Sequence, residues 1–366
     1  MAKSLATPAK YFQGSTLLSD AYRYVSHLGR SFVIVSDIQV KELIEERVKE
    51  GFRSAGNLCA FLNFNGESSP QEVSRLAELV RKEEYSGIIG AGGGKALDTA
   101  KLVGDSCGLP VVTVPTSASN DSPCSCVASL YTEDGRFIKL QRLKESPAVV
   151  LVDTEIIAKA PARLLTAGMG SAYAAYYEAR ACQRSGIQNY TGGTRTHTAL
   201  TLTELCHDLL LKYGKQAKLD VQAKTVTHAV EAIVEANIYL SGVGFVNSGC
   251  AASHGVYNAM TIALPSLNSM HGEGIAFGVL VQLIMEYNEE GQWNCEEWER
   301  TLSFYREVGL PRNFQHLGIV TDGDEQLEQI AAAACLPESN IYNMPFEITE
   351  KKVFQALKQL RNMKLA

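Results

Sequence analysis

Short β-branched runs alternate with amphipathic stretches through roughly the first 160 residues of this chain. Ser31–Ser36 (SFVIVS) reads as a buried strand. Val40–Gly51 carries apolar residues three to four apart among mixed charges, the repeat of a helix with one packed face. Cys59–Phe64 predicts a second strand, and Pro70–Glu84 a helix with proline in its first turn. Ile88 and Ile89 end a third strand, Gly90–Gly94 supply a turn with almost no side chains, and Lys95–Lys101 begin the next helix. Pro110–Val114 and Val149–Val152 return to the sheet, and between them Leu130–Lys139 reads as a hairpin with Asp134 and Gly135 in its turn. Such alternation predicts a parallel sheet covered on both faces.

From Pro161 the strands stop. Pro161 opens a helix in PARLLTAG, and Ser171–Gly186 reads as a second one with a small apolar face of Ala172, Ala175, Ala179 and Cys182. Thr196–Tyr213, Ala217–Leu240, Ala251–Leu264, Ile275–Tyr287 and Trp298–Val308 repeat the helical period. The expected fold class is therefore an α/β domain with a parallel sheet over residues 1–160, followed by an all-α domain over residues 161–366.

Composition narrows the partners. A chain of 366 residues, 46% hydrophobic and 20% charged, has ample material for a buried core. A net charge of −6 gives no reason to expect nucleic acid or an anionic membrane, so small molecules are the expected partners. MAKSLATPAKYFQGS lacks the apolar core of a signal peptide, and no run reaches the length of a membrane span, so a cytoplasmic location is expected. Nine scattered cysteines suggest neither a disulfide framework nor a zinc knuckle.

Candidate chemistry collects at strand ends. A strand handing over to a helix through Gly92, Gly93 and Gly94 presents free backbone N–H groups and a positive helix terminus, a seat for phosphate. Asp37, at the end of another strand, can accept bonds from an adenosine ribose and repels the 2′-phosphate of NADP. Thr113–Ser125 (TVPTSASNDSPCS) is rich in hydroxyls suited to a pyrophosphate and ribose, with Asp121 an acid beside the cofactor; a surface loop is the plain alternative. His254 and His271 lie among glycine, alanine and serine, where other groups can approach, and two neutral imidazoles suit zinc or ferrous iron. Spacing alone does not bring them together.

The motifs GGGKALDTAK, VPTSASNDSPCS, VDTEIIAKAPARLLTAGMG, YEARAC, ANIYLSGVGF, AASHGVYNAMT and HGEGIAFG, in that order, resemble those of glycerol dehydrogenases in the iron-containing (type III) alcohol dehydrogenase superfamily. The resemblance covers nearly the whole chain. It implies a dehydroquinate synthase-like fold with NAD in the cleft between an α/β and a helical domain, in a homo-oligomer, commonly an octamer. It places the adenosine ribose on Asp37 and the pyrophosphate on Gly92, Gly93 and Gly94 with Lys95 and Asp98 beside them. The rest of the cofactor falls near Thr116, Ser119, Ser125, Val127 and Tyr131. Asp121 falls where the family holds a substrate hydroxyl, and His254 and His271 match two of three ligands to a divalent metal, usually zinc.

The third ligand does not match. Family members read Gly-Asp-Ala where this chain has Gly170, Ser171 and Ala172, and a neutral hydroxyl is a poor zinc ligand. Tyr257 stands where the family has histidine, Gly274 where it has lysine, and Val246 and Asn247 where it has Glu-Ser. The expectation is an NAD(H)-dependent oxidoreductase acting on a small polyol or hydroxyketone, with zinc weakly held or absent. A metal-free reductase of an imine or activated carbonyl, with the proton from Asp121, His254, His271 or Tyr257, is the second reading. A nucleotide-binding protein without turnover is the third.

Overall fold

The computed structural model describes residues 2–320, 323–363 and 365. Eight strands run β1 (Lys10–Gly14), β2 (Ser31–Ser36), β3 (Leu58–Asn63), β4 (Gly87–Gly92), β5 (Val111–Pro115), β6 (Val127–Tyr131), β7 (Phe137–Arg142) and β8 (Val149–Asp153). The first helices are α1 (Ala21–Val25), α2 (Ile38–Arg53), α3 (Pro70–Val80), α4 (Gly94–Cys107) and α5 (Thr154–Lys159). Then come α6 (Ala162–Ser185), α7 (His197–Gln222), α8 (His228–Glu235), α9 (Ser241–Ser248), α10 (Ala252–Ala263), α11 (His271–Glu290), α12 (Cys295–Val308), α13 (Glu325–Ala334) and α14 (Glu350–Asn362).

Six strands pair in parallel in the order β1-β8-β5-β4-β2-β3, and β6 and β7 form a separate antiparallel ribbon. Successive residues of a strand point to opposite faces, so a strand buried on both sides needs apolar residues throughout. β2 does this: Phe32 and Ile34 pack with Ile44, Phe52 and Leu18 on one face, while Val33 and Val35 pack with Leu76, Ala77 and Val103 on the other. A third core of Met169, Tyr173, Tyr177, Leu210, Ile233, Phe277 and Leu280 joins the helices of the second half.

Several boundaries differ from the sequence expectation. Gly90 is not in a turn, because β4 extends to Gly92; a Cβ at Gly90 would lie 2.5 Å from that of Ala100, so this glycine lets α4 lie close on the sheet. PARLLTAG and Ser171–Gly186 are one continuous helix, α6, because small residues press it against its neighbours and no capping residue interrupts it. Ala217–Leu240 is not one helix. Thr227 accepts a bond from the Val230 N–H and starts α8 afresh after α7 ends at Gln222. β1 escaped the reading, since this edge strand carries a single aromatic on each face, Tyr11 and Phe12, between polar residues and glycine, and so has no apolar run.

α8 and α9 are joined by a π-helical segment, Ala236–Leu240. Together they form one apolar helix, His228–Ser248, long enough to cross a membrane; 78% of its most apolar window is buried within the protein, where it is a core element. The wide turn turns Asn237 inward, and its Nδ2 donates to the carbonyls of Ala118 at 2.9 Å and Leu165 at 3.0 Å. This one side chain ties the loop after β5 to α6. Replacing Asn237 by alanine removes the donor to the Ala118 carbonyl and the second bond to the helical Leu165 carbonyl, and is expected to cost about 1 to 3 kcal/mol, read as a lowered Tm, together with a raised KM for the cofactor.

Candidate active site

The site begins where β4 meets α4. Gly92 has a φ of 143°, a value that only glycine adopts readily, and it swings the chain so that α4 starts at Gly94 with Gly93 as its N-cap. No side chain caps this helix, and nothing lies within 4 Å of where a Cβ on Gly93 would be. The first turn is therefore uncapped, with open space at Gly93 and the Asn120 amide beside Gly94. Asp37 ends β2 beside them: Oδ1 accepts the Val40 N–H at 2.8 Å to cap α2, and Oδ2 lies on the Gly92 side. A cleft opens along this edge between Gly93, Thr116 and Ser119 on the sheet and Ile156, Lys159 and Leu164 of the following helices.

The sequence-predicted residues around this cleft divide into two groups. Gly92, Gly93, Gly94, Asp37, Thr116 and Ser119 line it or adjoin it. Lys95 is exposed, pairs with Glu67 and lies 5.1 Å above the ring of Tyr131. Asp98, Ser125 and Val127 are turned inward. They surround the buried ammonium of Lys101, which donates to Asp98 Oδ1 at 2.8 Å, Ser122 O at 2.9 Å, Ser125 Oγ at 3.0 Å and Val127 O at 2.6 Å. Lys101, missed in the sequence although it lies three residues after Asp98 on α4, anchors the polar loop and β6 to that helix. A buried charge needs such full coordination.

Glycines bring the two halves into contact behind the loop. A Cβ on Gly168 would fall 1.9 Å from the Ala118 carbonyl oxygen, and one on Gly242 would fall 2.8 Å from the Asp121 carbonyl oxygen. Asp121 is thereby set against α9, and its carboxylate makes no hydrogen bond to another described residue. Burial raises its pKa, against the opposing influence of nearby His254.

His254 and His271 meet. His254 is in the first turn of α10 and His271 is the first residue of α11, with ring centroids 5.6 Å apart. The ring of Tyr257 lies edge-on to His271 at 5.3 Å. Gly272 lets α11 begin against α6, since a Cβ there would strike the Ala167 carbonyl oxygen at 1.7 Å. Ser171 lies at this contact, buried, and its hydroxyl has no hydrogen-bond partner.

Glu178, two turns further along α6, is a functional residue that the sequence reading missed. Its Oε1 accepts the N–H groups of Ala251 and His254 at 2.8 and 3.0 Å, and its Oε2 lies 2.7 Å from His254 Nδ1. A charge inside a helix of alanines was the available signal. Glu178, Cys250 and His254 lie close enough together to suggest a cation site, but both carboxylate oxygens are already committed to donors. The cluster instead fixes the imidazole through its Nδ1. Burial by itself would lower the pKa of His254; Cys250 and the Glu178 carboxylate outweigh it and raise it well above the ordinary value. His271 is lowered, first by the protein packed around it and then by the charge of His254, although the residue is exposed at the start of α11.

The profile of the iron-containing alcohol dehydrogenase family matches residues 14–161. A glycerol dehydrogenase of Pseudomonas putida is 43% identical over 357 residues, spanning 98% of this chain and 96% of its own. The chain belongs to the glycerol dehydrogenase family. A glycolaldehyde reductase of Halobacterium salinarum is 37% identical over 98% of this chain and 96% of its own. The crystal structure of the Schizosaccharomyces pombe glycerol dehydrogenase superposes with a TM-score of 0.93 at 32% identity, covering 98% of this chain and 90% of that one. The fold expected from the sequence, a parallel α/β sheet followed by helices, is thus the fold of this family.

Proposed function

We propose that this enzyme transfers hydride between NAD(H) and a small polyol or hydroxyketone, with residues 1–160 seating the dinucleotide and residues 161–366 completing the site. One observation carries the reading: the uncapped α4 terminus and Asp37 adjoin a cleft lined by Thr116, Ser117 and Ser119, and Asp121, on the same loop, lies near His254, which meets His271. Relatives named glycerol dehydrogenase and glycolaldehyde reductase support a small polyol or hydroxyaldehyde as the kind of substrate.

In the oxidative direction the carbinol carbon passes hydride to the nicotinamide ring, and the hydroxyl proton needs an acceptor. His271, neutral at pH 7, offers a lone pair, and the unpaired Asp121 carboxylate can accept a bond from a second hydroxyl. The donor set does not fit a firmly held divalent metal. The two imidazoles have a buried serine hydroxyl beside them, which must lose a proton before it binds well, and among the described residues the Asp121 carboxylate does not close with both histidines into a three-ligand cluster. We route no step through a metal.

Purified without chelator, the protein is expected to carry well under one zinc per chain, to reduce NAD with glycerol and 1,2-propanediol, and to keep that activity in chelator. Stoichiometric zinc, with activity lost on its removal, would sink the metal part of this reading. No binding of NAD at millimolar concentration would sink the rest. Asp37→Ala is expected to narrow the preference for NAD over NADP by about tenfold or more, because removing the carboxylate removes its repulsion of a 2′-phosphate, as kcat/KM with each cofactor would report.

A further inference from the structure

Tyr257 and Gly274 share one space. Gly274 sits in the first turn of α11 with an ordinary helical backbone, so nothing in its conformation calls for glycine. A Cβ there would lie 2.0 Å from Cδ2 and 2.1 Å from Cε2 of Tyr257. The tyrosine ring is therefore laid on bare helix backbone, and no residue with a side chain fits at 274 while it stays there.

Seated so, the ring is 9% exposed and stands edge-on to His271. Its hydroxyl turns toward Ser269, and Tyr131 of the β6–β7 ribbon is a further neighbour. The other charges near the ring are occupied: Glu273 is held by Arg163 at 2.7 and 2.8 Å, and His254 by Glu178 at 2.7 Å. The site thus has a polar side, Asp121 and the two histidines, and a carbon side, the Tyr257 ring beside His271.

We infer that Tyr257, made possible by Gly274, is the specificity-determining wall of this pocket, and that it favours an uncharged vicinal diol whose third carbon is a methyl over one whose third carbon bears a hydroxyl. The inference rests on the polyol oxidoreductase reading above. A methyl against the ring is buried at no polar cost, whereas a hydroxymethyl would bury a hydroxyl without a partner. A difference of one such group is worth about tenfold or more in kcat/KM.

The test compares kcat/KM for 1,2-propanediol and glycerol in the unaltered enzyme, Tyr257→Ala, Gly274→Ala and the double variant, with a Tm for each. Tyr257→Ala is expected to lower the propanediol-to-glycerol ratio about tenfold. Gly274→Ala should lower Tm and reduce turnover of both diols, since the new Cβ drives the ring into the pocket. The double variant should recover the Tm lost in Gly274→Ala and show the Tyr257→Ala ratio. A ratio within about twofold of the unaltered enzyme in a Tyr257→Ala protein that turns over both diols overturns the inference alone, as does a Gly274→Ala protein of unchanged Tm. If the unaltered enzyme oxidises neither diol, the oxidoreductase reading falls, and the inference with it.

Discussion

Ser171→Asp is expected to tighten zinc binding by on the order of 100-fold or more, since even an outer-shell partner of a metal ligand commands 10- to 100-fold. The position favours the effect: residue 171 is buried at the contact of α6 with the start of α11, and its present hydroxyl satisfies nothing. A carboxylate there without a cation is an unpaired buried charge, so the metal-free variant should be less stable by about 3 kcal/mol or should bind a proton. Zinc at 100 times its dissociation constant returns about 2.7 kcal/mol. The signature is a Tm that falls on mutation and climbs back with zinc, while the unaltered protein barely responds. If both respond equally, the serine is not what sets metal affinity. If glycerol oxidation rises along with zinc binding, the remaining pocket is still suited to a metal-assisted polyol reaction.

Glu178→Gln should reduce turnover by about 100-fold with a smaller change in stability. Glutamine can still accept the N–H groups of Ala251 and His254 through Oε1, but its amide then presents a donor to His254 Nδ1, where the carboxylate presented an acceptor. Beside the carboxylate the imidazole holds a proton on both nitrogens; opposite an amide donor it must be neutral, with its one proton on Nε2, so the cation is lost from the site. The charge that sustains the raised pKa of His254 is lost as well, so a pH–rate limb assigned to this histidine should shift downward. Glu178→Leu, which removes every acceptor from three buried donors, is expected to cost about 3 to 5 kcal/mol and serves as the contrast. Equal damage to stability from both changes would mean that Glu178 is structural only.

Much of the site could be read from the chain because its parts are local. The strand, glycines and helix around Gly92–Gly94 occur within a few residues, and Asp37 directly follows the apolar run of β2. The polar loop announced itself by its composition, since hydroxyls, asparagine and aspartate cannot form a core. What escaped was every group whose partner lies far along the chain. Lys101 looked like an ordinary helix cation until the loop at Ser122–Val127 folded over it. Glu178, inside the motif YEARAC, had no local partner to mark it, and it meets His254 from 76 positions away. Asn237 lay in a stretch read as plain helix, and only the π turn points it at Ala118.

The sequence by itself determined the layered α/β arrangement and the helical half that follows it, because burial on two faces or on one stripe writes a period into the residues. It also determined that residue 171 carries no charge. Tertiary structure alone decided that His254 and His271 meet, that Asp121 is set against α9 beside them, and that Tyr257 occupies the space above Gly274. These outcomes depend on how closely helix backbones approach at Gly168, Gly242 and Gly272, and that distance is a property of two segments at once, which no single stretch of chain can encode.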